Sequence, residues 1–112
     1  MSSPKHYTAN SQEWNRHKTN AIMSERTLRE VYLPAFEMIV KEAHPATIMA
    51  AYNNINGVHN SENPLLLQQI FRGEWGWIDF FLTDWACHHK ADSSANAGLN
   101  LKMSVKQVED NG

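Results

Sequence analysis

The residues Phe80-Phe81-Leu82-Thr83-Asp84-Trp85 decide how this chain is read. A short apolar run that stops abruptly in a carboxylate and an indole is what a buried parallel strand shows when its C-terminal tip opens into a site. Asp84 is therefore the first candidate for chemistry, and the stretch from Gly73 to Met103 is the segment around which the rest is organised. Working backward, Asn63-Pro64 has the form of a cap followed by a proline at the first helical position. Leu66, Leu67, Ile70 and Phe71 then give a buried helical face, and Gly73 is the expected stop. Upstream again, Thr47-Ile48-Met49-Ala50-Ala51-Tyr52 is a second apolar run without helical room before the turn formers Asn53-Asn54-Ile55-Asn56-Gly57. It reads as a second buried strand.

The outer segments complete an alternation. Ser24 is placed to cap a helix, Thr27 and Glu30 are spaced for a capping box, and Leu28, Val31 and Tyr32 form its apolar stripe. Pro34 predicts a kink or restart, after which Phe36, Ile39, Val40 and Ala43 share one helical face ending near His44-Pro45. Beyond Asp84, residues Asp92 to Ala97 suit a short helix stopped by Gly98. Leu99-Asn100-Leu101 suits one more strand, and Ser104 to Gly112 reads as a polar tail that frays. Residues 1 to 23 are polar and aperiodic and read mostly as loop. Helix and strand in alternation are the signature of βα units around a parallel sheet. The expected fold class is α/β; since a closed barrel takes about 250 residues and this chain has 112, the residues fit a βα-repeat fragment of a TIM-type barrel, a half-barrel that dimerises to cover its open edges, or a small open α/β sheet.

Composition excludes several roles. A net charge of −2 with both signs interspersed gives no footprint for nucleic acid or an anionic membrane. No apolar run approaches the roughly 20 residues a bilayer span needs, and Met1-Ser2-Ser3-Pro4-Lys5-His6 lacks the profile of a signal peptide. The chain reads as soluble, with its compartment unspecified. Cys87 is the sole cysteine, so no intrachain disulfide can form. Cys87-His88-His89 offers zinc-ligand types, but adjacent ligands rarely converge on one ion and no paired spacing supports them. No metal and no cofactor are expected.

Five ordered blocks carry a family resemblance over residues 5 to 103. Lys5-His6-Tyr7 followed by Asn10-Ser11-Gln12-Glu13 and Arg16 resembles the KHF…N-x-Q-E-x-x-R segment of glycoside hydrolase family 3. Ser24 to Glu37 is similar to its D-E-R-T-L-R-E-I-Y-L-P-P-F helix, and Ile48 to Asn53 with Asn56-Gly57 to its V-M-C-S-Y-N…N-G. Phe71 to Trp77 with Phe80 to Trp85 resembles L-R-G-E-W-G-F and F-V-V-S-D-W, and Ala97 to Met103 resembles A-G-L-D-L-E-M.

The resemblance implies a retaining β-glycosidase in which Asp84 is the nucleophile and a following domain supplies the acid/base. A carboxylate at a barrel strand tip can attack an anomeric carbon and form a glycosyl ester that water later cleaves. It also implies that Lys5, His6 and Arg16 surround that carboxylate with cationic donors while holding sugar hydroxyls. Trp85 would offer a face to the sugar ring, and Met49 and Tyr52 would line the subsite, with Tyr52 close enough to orient Asp84.

By residue type alone each has a plainer role. A strand-ending aspartate is more often a cap, Lys5-His6 a solvated stub, Arg16 a partner for Glu13, and Met49 core packing. Asn100 stands where the family commonly has aspartate, Lys102 where it has glutamate, and Ile78-Asp79 where it has Asp-Gly, changes that bear on packing. The acid/base is not expected within this chain. Retaining hydrolysis needs two carboxyl groups about 5 to 5.5 Å apart. Asp79, five strand residues before Asp84, lies roughly 16 Å away at about 3.3 Å per residue. The implied partners are a β-linked saccharide or glycoside and either the rest of the enzyme or a second copy of the chain. The other class of role is a non-catalytic half-barrel that binds sugar or oligomerises. A bare half-sheet predicts poor stability as a monomer.

Overall fold

The computed structural model describes residues 2–87 and 90–103; the 104–112 tail and the pair His88-His89 lie outside the described residues. Strand β1 (Asn20–Ala21) is followed by the helical turn α1 (Glu25–Thr27), which widens into a π-helical turn, Leu28–Tyr32. Helix α2 (Pro34–Met38) restarts at the proline and widens again over Ile39–Ala43. Strands β2 (Thr47–Ala50), β3 (Asn54–Ile55) and β4 (Val58–His59) follow, then a π-helix over Leu65–Glu74. Strand β5 (Phe80–Thr83) and helix α3 (Ala91–Ala97) complete the order.

The main sheet is parallel. β2 pairs with β5 in the register Ile48 to Phe81 and Ala50 to Thr83. Tyr7 bridges Ala50 on one side and Leu101 bridges Leu82 on the other, both parallel. Four chain segments thus lie side by side, as the strands of a barrel do. β1, β3 and β4 form a small separate sheet.

In both main strands the second and fourth residues are buried. Ile48 and Phe81 project to the face that the helices cover. There Tyr7, Phe71, Trp77 and Phe81 form an aromatic cluster, with ring centroids 4.6 Å apart for Tyr7 and Phe71, 4.8 Å for Phe71 and Phe81 and 4.9 Å for Trp77 and Phe81. Edge-to-face packing at such distances adds to the area term. Ile70, Leu66, Leu67 and Val40 close the core.

Several expectations need correction. Tyr7 lies in a segment expected to be loop, yet it is fully buried, because its amide and carbonyl join the edge of β2 through Met49 O (2.8 Å) and Ala51 N (2.7 Å). Gly73 does not stop its helix, which runs to Glu74; the Trp75 amide reaches back to Ile70 O at 3.0 Å and the left-handed residue is Gly76. Val31 and Ala43 are exposed, since the widened turns rotate the stripe away from its 3.6-residue period; Leu33 is buried instead. Ser24 caps α1 through the Thr27 amide (3.1 Å), but Glu30 pairs with Arg26 rather than closing a box. The segment 99–101 contributes a single bridge at Leu101.

Candidate active site

Asp84 follows the last residue of β5, so the strand delivers its carboxylate to the C-terminal edge of the sheet. Its side chain is 15% exposed. Oδ1 accepts the Trp85 amide at 2.7 Å and Oδ2 lies 3.0 Å from His6 Nε2. His6 arrives from the edge segment that Tyr7 anchors beside β2. Parallel pairing brings the two together, since the Tyr7 segment and β5 flank β2 on either side and all three run to the same edge of the sheet.

Tyr52 arrives two residues past the end of β2. Its ring is buried, and its hydroxyl donates to the Trp85 carbonyl. Burial, and then the nearby Asp84 carboxylate, push the phenol above its usual range; it therefore stays a donor at ordinary pH. The Arg16 guanidinium lies 4.4 Å from the Tyr52 ring centroid, and its Nη1 pairs with Glu13 at 2.6 Å. The His17 ring packs on the same tyrosine at 4.2 Å. Trp85 is 55% exposed.

Of the residues singled out by the sequence, Asp84, His6, Tyr52 and Trp85 are thus linked directly, and Arg16 joins them through Tyr52. Lys5 is exposed beside His6, and Met49 stands on β2 opposite Leu82, on the face the helices leave open.

Three further groups were not legible as site components. His59, on β4, places Nε2 3.5 Å from Cys87 Sγ, while its Nδ1 receives the Ser61 amide at 3.2 Å and lies 2.8 Å from Ser61 Oγ. Burial lowers the imidazole's affinity for a second proton and pushes the Cys87 thiol up to about 11. Asn60, fully buried, donates to Thr8 O (2.8 Å) and Asn53 Oδ1 (3.1 Å), fixing the loop after Tyr7. The only signal for His59 and Asn60 was a density of polar residues between Asn53 and Asn63. Among the described residues no three of His, Cys, Asp and Glu converge as a metal site would require.

A parallel sheet covered by helices on one face, with a hydrogen-bonded carboxylate at the tip of a strand, is the make-up of part of a βα barrel that carries its chemistry at the C-terminal edge. The chain belongs to glycoside hydrolase family 3: residues 1–109 match its Glycosyl hydrolase family 3 N terminal domain. It is 49% identical over 106 residues to an exo-alpha-(1->6)-L-arabinopyranosidase of Bifidobacterium longum, covering 95% of this chain and 14% of that protein. Among solved structures it is similar to a GH3 beta-glucosidase of Bifidobacterium adolescentis, with a TM-score of 0.89, 50% identity, and coverage of 93% of this chain and 15% of that one. It is similar also to beta-glucosidase 3B of Thermotoga neapolitana in complex with glucose, with a TM-score of 0.86, 43% identity, and coverage of 88% and 14%. The chain therefore spans about one seventh of the length of these relatives.

Proposed function

We propose that residues 1–112 form part of a family 3 N-terminal domain and supply the nucleophile half of a retaining site for β-glucosides or related β-glycosides. A carboxylate oxygen of Asp84 attacks the anomeric carbon as the bond to the leaving oxygen breaks. That oxygen takes the electron pair, and a proton from an acid that this chain does not supply. Water then attacks the same carbon and gives up a proton to the group that acted as acid, the ester bond breaks, and Asp84 is regenerated with the sugar's configuration retained.

The observation that carries this reading is the placement of Asp84: at a strand tip, only partly exposed, with one oxygen held by the Trp85 amide and the other by His6. Two fixed donors aim the carboxylate without a rotamer search. Lys5 and His6 hold sugar hydroxyls, Arg16 and Tyr52 border the ring, Trp85 stacks on it, and Met49 closes the floor. Asp79 precedes β5 and Asp84 follows it, so the strand keeps these two carboxylates apart and the acid/base comes from elsewhere.

The test is the intact mass of the chain after incubation with a 2-deoxy-2-fluoro-β-glucoside bearing an activated leaving group, which makes the acid unnecessary for the first step. One added sugar mass, absent from Asp84→Ala, is the expected result. No adduct on a folded chain would sink the reading and favour a half-barrel that binds sugar or assembles without chemistry. That second role draws support from the exposure of Phe80 on the main sheet.

A further inference from the structure

The backbone that follows Asp84 is strained. Ala86 sits at φ 54°, a left-handed conformation that costs any side chain bearing a Cβ. Such a residue persists only where its surroundings over-determine it. Here the turn is held on both sides of the alanine. Before it, the Trp85 carbonyl receives the Tyr52 hydroxyl; after it, Cys87 Sγ lies 3.5 Å from His59 Nε2.

His59 is itself fixed. Because Nδ1 accepts the Ser61 amide, the ring proton belongs on Nε2, the nitrogen that faces Cys87. The buried thiol remains protonated at ordinary pH, so the contact joins a neutral ring to a neutral sulfur. The His59 ring also hydrogen-bonds the Tyr52 backbone, and so touches the residue that makes the other anchor. Cys87 is 2% exposed, so it fills this contact and leaves no free thiol at the surface.

We infer that His59 is a positioning residue for the Asp84 carboxylate: it pins the turn 84–87 to β4 through Cys87 and holds the strained alanine in place. The inference rests on Asp84 being the nucleophile. It predicts something a merely structural histidine would not, namely that removing the strain at Ala86 compensates for losing the pin. Glycine takes positive φ without steric cost.

The experiment compares wild type, His59→Ala, His59→Gln and the double variant His59→Ala with Ala86→Gly, each shown to be folded by circular dichroism. The rate of labelling by the activated 2-fluoroglucoside is followed by intact mass. Loss of a buried hydrogen bond is worth about tenfold, so His59→Ala should label about tenfold slower. His59→Gln, which keeps an N–H donor, should stay near wild type. The double variant should recover about threefold of the loss, because relief of a positive-φ alanine is a gain of that order. A His59→Ala rate equal to wild type overturns the inference, as does a slow rate that Ala86→Gly leaves untouched.

Alkylation of Cys87 by iodoacetamide, one mass step because the chain has one cysteine, separates this failure from that of the nucleophile reading. If no chain takes up the sugar, the role of Asp84 falls. Alkylation faster in His59→Ala and slower again in the double variant would then still establish the pinned turn. Equal alkylation in all four would remove it.

Discussion

At the scale of single residues, Asn100 shows how a departure from the family pattern can keep its task. Its Oδ1 receives Arg72 Nη2 and the Phe81 amide, each at 2.9 Å. Both partners are donors, so aspartate would serve as well. Asn100→Asp should leave thermal stability unchanged or raise it by up to about 1 kcal/mol, the pair being exposed and screened. Asn100→Ala should cost about 1–3 kcal/mol, since the Phe81 amide loses its acceptor; denaturant midpoints of the two variants check this. Tyr52 makes the second residue-scale case. Tyr52→Phe removes the hydroxyl that donates to the Trp85 carbonyl and lies beside Asp84 and should cost about 0.5–1.5 kcal/mol, while sugar labelling at Asp84 slows because both the turn and the carboxylate lose a contact. Asp84 and Tyr52 were both legible because each ends a short apolar run. The His59–Cys87 contact was not, since 28 residues separate its partners and neither belongs to a periodic pattern.

At the scale of elements, the return from α3 to the sheet depends on Gly98. Its φ is 98°, and a Cβ there would meet Gln68 Nε2 at 2.4 Å and Gln68 Cδ at 3.0 Å. Arg72 meanwhile holds the Gly98 carbonyl at 3.0 Å. Gly98→Ala therefore combines strain with a displaced side chain and should destabilise by more than about 1 kcal/mol, seen as a lower midpoint and greater exposure of the 99–101 segment to hydrogen exchange. Gly98 was recognisable as a stop because it follows a short polar helix. Gly73 misled for the opposite reason: the helix through it is held by packing of Ile70 and Phe71 and by the Arg29–Glu74 pair, bidentate at 2.7 and 2.8 Å, beyond the point where local propensity would end it. The widened helical turns were likewise invisible, because a 3.6-residue stripe and a locally looser one differ by less than one position per turn.

At the scale of the whole molecule, three acids are held protonated by burial. Tyr7 is pushed well above 10.0, Tyr52 is raised, and Cys87 moves from 9.0 to about 11. In each case the folded state binds its proton more tightly than the unfolded one. Stability is therefore independent of these groups below about pH 9 and falls as pH rises toward 11, where the unfolded chain ionises first. Urea midpoints measured from about pH 7 to 11 should decline over that window, and Cys87→Ala should blunt the onset of the decline. The uncovered sheet face has a second consequence. Phe80 is 57% exposed and Leu101 48%, apolar side chains left bare on the main sheet, and such surfaces associate. Sedimentation should show mass rising with concentration. Phe80→Ser should reduce that association with little loss of midpoint, because the side chain packs on little within the chain. A monodisperse monomer at high concentration would contradict the expectation.

The alternation of helices and strands, the parallel class, the family and the candidacy of Asp84 were all legible in the residues. These rest on local patterns: apolar runs, proline and glycine punctuation, and ordered motif blocks. Tertiary structure alone decided which side chains meet. Tyr7 became a core residue because its backbone joined the edge of β2. His6 came to face Asp84 because parallel strands end at the same edge, and Arg16 came to lie over the Tyr52 ring. Local sequence sets what a segment can become, but the pairing of distant edges, paid for by burying Tyr7, Phe71 and Phe81 against one another, sets what it touches.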